Sequence, residues 1–196
     1  WATKVLIEQP ELVRAVHEEF FAAGATVATT TSYAIQHDRL IVAGLVDQFE
    51  TLHRAACEMA CASRDAAGSG QVAGVIGPLI GSYQTVPLPD DAIERFAEIC
   101  RIQAPYVDHF LIETAAGDGF KGCEKPFGAY ANGFTEITQS FVQVGATVRE
   151  LSARTDLTPD AYAEFAEGWA RMGATIIGGC CEVGPAHIAE IARRLT

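Results

Sequence analysis

Apolar residues recur along the chain in two alternating patterns, one typical of amphipathic helices and one typical of buried strands. Within Pro10–Ala22, apolar side chains recur every four residues from Leu12 to Phe20, which predicts a helix with one apolar face. The segment Ala25–Thr31 is rich in β-branched residues and predicts a strand. Further helices are predicted at Leu45–Ala67, Asp90–Cys100, from Thr158-Pro159 and at Pro185–Leu195, and further strands at Val72–Ile76, Val107–Ile112, Phe127–Ala131 and Ala174–Ile177. Such alternation predicts a parallel sheet with helices outside it.

The interval between Glu113 and Phe127 interrupts this alternation. It is rich in glycine and polar residues and has no helical periodicity. A parallel crossover normally needs a dozen or more residues that include a helix. We therefore expect a chain discontinuity between Thr114 and Pro126. No repeat, low-complexity tract or linker divides the sequence, so residues 1–196 are predicted to form a single domain.

The composition narrows the class of partner. The 196 residues carry a formal net charge of −11, with an estimated isoelectric point near 4.8. A strongly acidic chain is a poor match for nucleic acid, which we therefore exclude as a partner. No apolar run is long enough to cross a bilayer, and no secretory signal is visible, so a cytoplasmic, membrane-free protein is expected. The composition leaves the oligomeric state open.

The tetrapeptide Gly178-Gly179-Cys180-Cys181 is the most informative motif. It follows a short apolar strand and precedes Pro185, which suits the first turn of a helix. The glycines are expected to allow a tight turn and a close approach to a ligand. Two adjacent thiols at the end of a strand suit a soft metal, most often zinc. Packing as buried apolar cysteines is the alternative, and a disulfide between neighbours would be strained.

The remaining cysteines have simpler interpretations. Cys57 and Cys61 are four residues apart in a segment rich in helix formers, without a further ligand nearby in sequence, so we expect them in a helix core. Cys100 lies among apolar residues of another predicted helix, where core packing accounts for it. A disulfide framework is not expected in a chain of this length and composition.

Other reactive side chains also follow predicted strands. Tyr33, Glu113 and Asn132 each come just after such a strand, as Cys180 and Cys181 do. Residues at the carboxyl ends of parallel strands form the active site of a (β/α) barrel, so we expect all five on one face. The alternatives are a packed aromatic for Tyr33, a cap or ion pair for Glu113, and a turn residue for Asn132.

The chain resembles the homocysteine S-methyltransferase family. The resemblance runs from Trp1 to the carboxyl terminus as an ordered series of segments. These segments are Val16–Ala25, Thr29–Tyr33, Gly77-Pro78, Phe110–Thr114, Ala129–Gly133, Gly178–Cys181 and Pro185–Ile188. The resemblance implies a (β/α)8 TIM barrel. It also implies zinc-dependent methyl transfer to the thiol of L-homocysteine, giving methionine.

Site roles follow from the same resemblance. It assigns Cys180 and Cys181 to a Zn²⁺ ion, Glu113 to the amino group of homocysteine, and Tyr33 to the mouth of the pocket. Asn132 receives a supporting role. The implied partners are homocysteine and a methyl donor: S-methylmethionine, which we prefer, S-adenosylmethionine or an ammonium donor such as betaine.

The chain departs from the family pattern at two places. The first strand of the family is absent before Trp1, and about two middle strands are absent between the positions of Glu113 and Phe127. The second of those strands carries the third zinc cysteine, and Cys123 is not equated with it. A barrel that lacked these strands could not close, so we expect that residues were omitted from the sequence.

Two rival functions remain at this stage. One is a non-catalytic zinc- or ligand-binding barrel, in which a missing ligand has removed turnover. The other is a zinc-free barrel enzyme in which Cys180 and Cys181 only pack.

Overall fold

The computed structural model describes residues 2–79, 89–113, 128–135 and 151–196. The chain divides into two compact units. The amino-terminal unit contains Trp1–Ala22 and Thr26–Ala115, and the carboxy-terminal unit contains Ala23–Ala25 and Ala116–Thr196. The expected discontinuity between Thr114 and Pro126 lies outside the described residues, and the single domain stays a prediction.

The amino-terminal unit is an α/β structure. Its elements are α1 (Ala2–Glu8), α2 (Pro10–Ala22), β1 (Val27–Thr29), α3 (His37–Ala43), a 3-10 turn (Val46–Gln48), α4 (Phe49–Ala67), β2 (Gln71–Ile76), α5 (Ala92–Gln103) and β3 (His109–Ile112). The strands form a parallel sheet in the order β1-β2-β3. In this register Thr29 pairs with Ala73, and Ile76 pairs with Ile112. The carboxyl ends of all three strands therefore lie at the same edge.

Helix α4 supplies much of the core of this unit. Its residues Leu52 and Ala56 are buried with Leu40 of α3 and Ile99 of α5. The central strand β2 is buried from Val72 to Ile76, as expected for a parallel strand covered on both faces.

The carboxy-terminal unit contains β4 (Gly128–Ala131), α6 (Pro159–Arg171), β5 (Ile176–Gly179) and α7 (Pro185–Leu195). The two strands pair in parallel, with Ala131 opposite Gly179. Helices α6 and α7 pack together through Tyr162, Ala166 and Ile191, which are buried in one apolar cluster. Because β4 and β5 are parallel, their carboxyl ends also share one edge.

Most predicted elements are present, with shifted ends. Helices α2 and α7 span the predicted residues, and the Thr158 side chain caps α6 by accepting from the Ala161 N–H. Helix α3 was missed, because a seven-residue helix displays too few turns for its periodicity to stand out. The two parallel sheets confirm the α/β architecture, and closure into a barrel stays a prediction.

No helix of the described residues is both long and apolar enough to cross a membrane.

Candidate functional site

Cys180 and Cys181 directly follow β5, at the carboxyl edge of the β4–β5 sheet. The Cys180 N–H donates to the Ala131 carbonyl at 3.0 Å, which extends the parallel ladder by one residue. The Cys181 carbonyl accepts from the Gly133 N–H at 2.7 Å. The backbone of both cysteines is therefore tied to the residues at and after the end of β4. This confirms their placement after a strand.

The two glycines before the cysteines act differently from the sequence-based expectation. Gly178 and Gly179 are strand residues, and the prediction of a tight glycine turn was wrong. Gly179 is instead required by a close approach, since a Cβ atom there would lie 2.1 Å from Cγ1 of the buried Val183. The left-handed backbone of the turn is adopted by Glu182, whose φ is 62°.

The two thiols are close, exposed and not joined by a disulfide. Their Sγ atoms are 3.7 Å apart. Two thiolates on one tetrahedral zinc ion, with zinc–sulfur bonds of about 2.3 Å, are held about 3.8 Å apart. The separation between the Cys180 and Cys181 sulfurs therefore fits two positions of a tetrahedral zinc site. Packing in the interior does not account for them, because both residues are exposed.

Without a cation, the thiols of Cys180 and Cys181 do not readily lose both protons. The hydrogen bond to Cys181 raises the pKa of the Cys180 thiol. The partial loss of water around the Cys180 sulfur, in a residue that is exposed as a whole, and the charge of the neighbouring thiolate raise it further. A divalent cation would reverse this effect, because a coordinating thiol is deprotonated outright. The donor set consequently favours a cation over an empty dithiolate.

Asn132 lies beside this pair as a turn residue. Its Oδ1 atom accepts from the Phe134 N–H at 3.1 Å, which closes an Asx-type turn around Gly133. The same Gly133 donates its N–H to Cys181, so the turn presents a backbone donor to the cysteine segment. The arrangement supports an indirect role for Asn132 through Gly133.

Tyr33 and Glu113 lie at the carboxyl edge of the other sheet, in the amino-terminal unit. Glu113 follows β3 directly, and its N–H donates to the Ile76 carbonyl at 3.1 Å. Tyr33 lies in the turn after β1, with the Arg39 guanidinium 5.4 Å from its ring centroid. Gly77 allows the Tyr33 backbone to approach the end of β2, since a Cβ there would lie 2.1 Å from the Tyr33 carbonyl oxygen.

Buried polar side chains hold the segment that carries Tyr33. The Ser32 hydroxyl donates to the Val75 carbonyl at 2.7 Å, and the Thr30 hydroxyl accepts from the Val75 N–H at 2.9 Å. Gln36 donates to the Gly77 carbonyl at 3.0 Å. These bonds fasten both ends of the turn to the central strand, so its backbone is fixed before any ligand arrives.

Tyr162 and His187 support the cysteine segment, and both were missed from the sequence. The Tyr162 hydroxyl contacts both β4 and β5, whereas its spacing in the sequence showed only a helix core position. The sequence pattern places His187 in the first turn of α7 and indicates no further role for it. Its Nδ1 atom accepts from the Gly184 N–H at 3.2 Å, which leaves Nε2 to donate to the Leu157 carbonyl at 3.0 Å. One local signal for this role of His187 was present in the sequence. Pro185 marks the start of the helix, and His187, two residues later, therefore lies in the first helical turn, where its imidazole can accept from a free backbone N–H.

The other described cysteines are not part of this arrangement. Cys57 is fully buried on α4, and burial raises the pKa of its thiol to about 12. The Cys61 thiol donates to the Tyr106 carbonyl, and Cys100 packs against the core. These observations confirm the helix-core predictions. In the part of the chain that the structure describes, no three His, Cys, Asp or Glu side chains are grouped to hold a metal, and Cys123 lies outside that part.

The sequence matches one family along nearly its whole length. The family model for homocysteine S-methyltransferase matches residues 1–117 and 119–195. The chain therefore belongs to the homocysteine S-methyltransferase family, which confirms the resemblance and the assignment to this class of enzyme.

Curated relatives match over different shares of their length. Homocysteine S-methyltransferase from Escherichia coli is 31% identical over 178 residues, which cover 81% of this chain and 55% of the relative. Mouse S-methylmethionine–homocysteine S-methyltransferase BHMT2 is 24% identical over 185 residues, which cover 94% of this chain and 47% of the relative. The match thus spans about half the length of these two relatives. Homocysteine S-methyltransferase 1 from Arabidopsis thaliana is 24% identical over 281 residues, which cover 100% of this chain and 86% of the relative. Because that alignment is longer than the 196-residue chain, the Arabidopsis protein has internal segments without a counterpart here.

Solved structures show the same fold. The metallated form of the homocysteine methyltransferase MmuM from Escherichia coli superimposes with a TM-score of 0.64 and 23% identity. The superposition covers 99% of this chain and 88% of that chain. The oxidised form of the same enzyme gives a TM-score of 0.65 over the same shares.

The structure groups the predicted site residues by unit. Asn132, Cys180 and Cys181 lie together at the carboxyl edge of the β4–β5 sheet. Tyr33 and Glu113 follow strands at the carboxyl edge of the β1-β2-β3 sheet. The meeting of these two groups on one face stays a prediction.

Proposed function

We propose that this protein transfers a methyl group from a cationic donor to the thiol of L-homocysteine, giving methionine. The observation that carries the proposal is the exposed cysteine pair after β5, with its sulfurs 3.7 Å apart, in a chain of this family. We further propose that the described α/β units are parts of a (β/α)8 barrel, the fold in which carboxyl-edge residues form the active site.

In this proposal Cys180 and Cys181 hold a Zn²⁺ ion through their thiolates. When bound, zinc would lower the pKa of the substrate thiol, so that homocysteine reacts as the nucleophilic thiolate. The ordered backbone after β5 positions the two sulfurs before substrate binds. Asn132 acts indirectly, because its turn sets the Gly133 N–H that bonds to Cys181.

Glu113 is proposed to bind the ammonium group of homocysteine, and Tyr33 to line the mouth of the pocket. A carboxylate that accepts from an ammonium makes a charge-assisted hydrogen bond, which is stronger than a neutral one. Tyr33 presents an aromatic ring on a backbone segment that is fixed to β2.

The transfer needs no reactant besides homocysteine and the donor, because the homocysteine thiol releases its proton to solvent before its sulfur attacks. The homocysteine sulfur forms a new bond to the methyl carbon as the donor's bond to that carbon breaks. The breaking electron pair stays on the donor, which becomes a neutral thioether or amine. Since the positive charge disappears, a site with few water molecules would favour the reaction.

The donor is proposed to be a sulfonium, with S-methylmethionine preferred. The relative from mouse is named for S-methylmethionine as well as homocysteine, which supports this choice. S-adenosylmethionine and betaine are the other candidate donors. We also propose a cytoplasmic location, in keeping with the acidic composition.

A donor comparison tests the proposal. Full-length protein would be incubated with homocysteine and one of the three donors, with zinc or with a chelator, and methionine would be quantified. We expect turnover with S-methylmethionine that the chelator removes and added zinc restores. Zinc binding without turnover with any donor would instead favour the non-catalytic barrel. Turnover that the chelator leaves unchanged would favour a zinc-free enzyme.

A further inference from the structure

The hydroxyl of Tyr162 contacts both strands that lead to the candidate zinc site. It accepts from the Ala131 N–H at 3.0 Å, at the last residue of β4. The hydroxyl oxygen also lies within hydrogen-bond distance of the carbonyl oxygens of Gly178, at 2.9 Å, and Ala131, at 3.0 Å, and its single proton serves one of them at a time. One side-chain oxygen on α6 therefore joins β4 to β5.

This junction is one backbone hydrogen bond away from Cys180, a candidate metal ligand. The Ala131 carbonyl that faces the Tyr162 hydroxyl also accepts the Cys180 N–H at 3.0 Å. Gly178 is two residues before Cys180 in the same strand. The position of Ala131 relative to Gly178 therefore determines where the backbone of Cys180 lies.

The Tyr162 ring has little freedom to move. The residue is 1% exposed, and its ring lies edge-on to Trp169 and to His187, with centroids 5.7 and 5.8 Å away. His187 is itself held by hydrogen bonds to Gly184 and Leu157. The packing of the ring therefore fixes the position of the hydroxyl. A residue that orients the ligands of a metal site has to be fixed in this way.

We infer that Tyr162 is a positioning residue, whose hydroxyl holds Cys180 and Cys181 in the arrangement that binds zinc. The inference rests on the proposed function, since it concerns the same metal site. Tyr162 is not a ligand in this account, and it acts through the β4–β5 backbone. Loss of the hydroxyl would leave the Ala131 N–H and the Gly178 carbonyl to readjust, which loosens the start of the cysteine segment.

The test compares two variants of the full-length protein. Tyr162→Phe removes the hydroxyl and keeps the buried ring. Ile191→Val removes one methyl group from the same apolar cluster, so it weakens the packing of this unit without touching the hydroxyl. Zinc affinity would be measured by competition with a chromophoric chelator, and the absorption spectrum of bound Co²⁺ would report the geometry of the ligands. Thermal unfolding would establish that the variants are folded.

We expect Tyr162→Phe to weaken zinc binding about tenfold or more, the usual cost of removing an outer-shell partner, and to change the Co²⁺ spectrum. Ile191→Val should lower thermal stability and leave both readouts near those of the unmodified protein. An unchanged affinity and spectrum in Tyr162→Phe, or equal losses in both variants, would overturn the inference and leave the proposed function standing. An unmodified protein that binds no zinc would overturn both.

Discussion

The Nε2 atom of Gln103 lies 3.0 Å from the Nδ1 atom of His53, and both side chains are fully buried. The amide donates to Nδ1, which places the imidazole proton on Nε2, where it bonds to the Ile35 carbonyl at 3.1 Å. Gln103 also reaches the Ser32 hydroxyl at 3.3 Å. The Gln103–His53 pair is thus hydrogen-bonded to Ser32 and Ile35, which lie on either side of Tyr33, a candidate pocket residue.

His53 is expected to make folding sensitive to acid. Burial lowers the pKa of His53 from 6.5 to about 4, partly offset by its backbone hydrogen bond and by Glu98. Between these values the unfolded chain binds a proton that the folded chain excludes, so stability is fully present above pH 6.5 and falls as the pH approaches 4. The contribution is up to about 3 kcal/mol.

Urea unfolding at several pH values checks this expectation. In His53→Gln the loss of unfolding free energy between pH 6.5 and 4 should be smaller than in the unmodified protein. His17, whose pKa is also lowered by burial, remains in both proteins and cancels in the comparison. Parallel pH dependences in the two proteins would contradict the assignment to His53.

Adjacent glycines before the cysteine pair should respond differently to the same substitution. In Gly179→Ala the new methyl group would meet Val183 at 2.1 Å, so β5 or the cysteine turn must move. We expect a loss of about 1–3 kcal/mol of unfolding free energy, together with weaker zinc binding. Gly178→Ala is the matched control, since nothing lies within 4 Å of a Cβ there. Equal effects of the two substitutions would show that the Val183 contact is unimportant.

Glu113 should determine affinity for homocysteine. Glu113→Gln keeps the size of the side chain and removes the charge that the substrate ammonium would meet. Steady-state kinetics with homocysteine varied should show KM increased about tenfold or more, which is the usual scale for a hydrogen bond to a charged group. Glu164→Gln, an exposed carboxylate on α6, should leave KM unchanged. If Glu113→Gln also leaves KM unchanged, Glu113 does not bind the amino group.

The sequence was sufficient to locate strands whose ends carry chemical groups, because apolar β-branched runs and helix caps are local signals. The Thr158 cap and the Pro185 start of α7 were predicted from such signals. The role of Tyr162 was not predictable in this way, since its hydroxyl meets backbone atoms that are 31 residues away in sequence. The strand position of Gly179 was also missed, because a pair of glycines is more typical of a turn. The reason for a glycine at this position is the approach of Val183, a packing contact that the sequence does not show.

The central claim is that Cys180 and Cys181 bind the zinc ion that supports methyl transfer. Zinc content and methionine formation would be measured together in full-length Cys180→Ala and Cys181→Ala. Cys61→Ala serves as the control, because Cys61 lies on α4 in the amino-terminal unit. We predict that each of the first two substitutions abolishes bound zinc and methyl transfer together, and that the control keeps both. Retained zinc and activity in both Cys180→Ala and Cys181→Ala would contradict the account and show that the pair does not hold the metal.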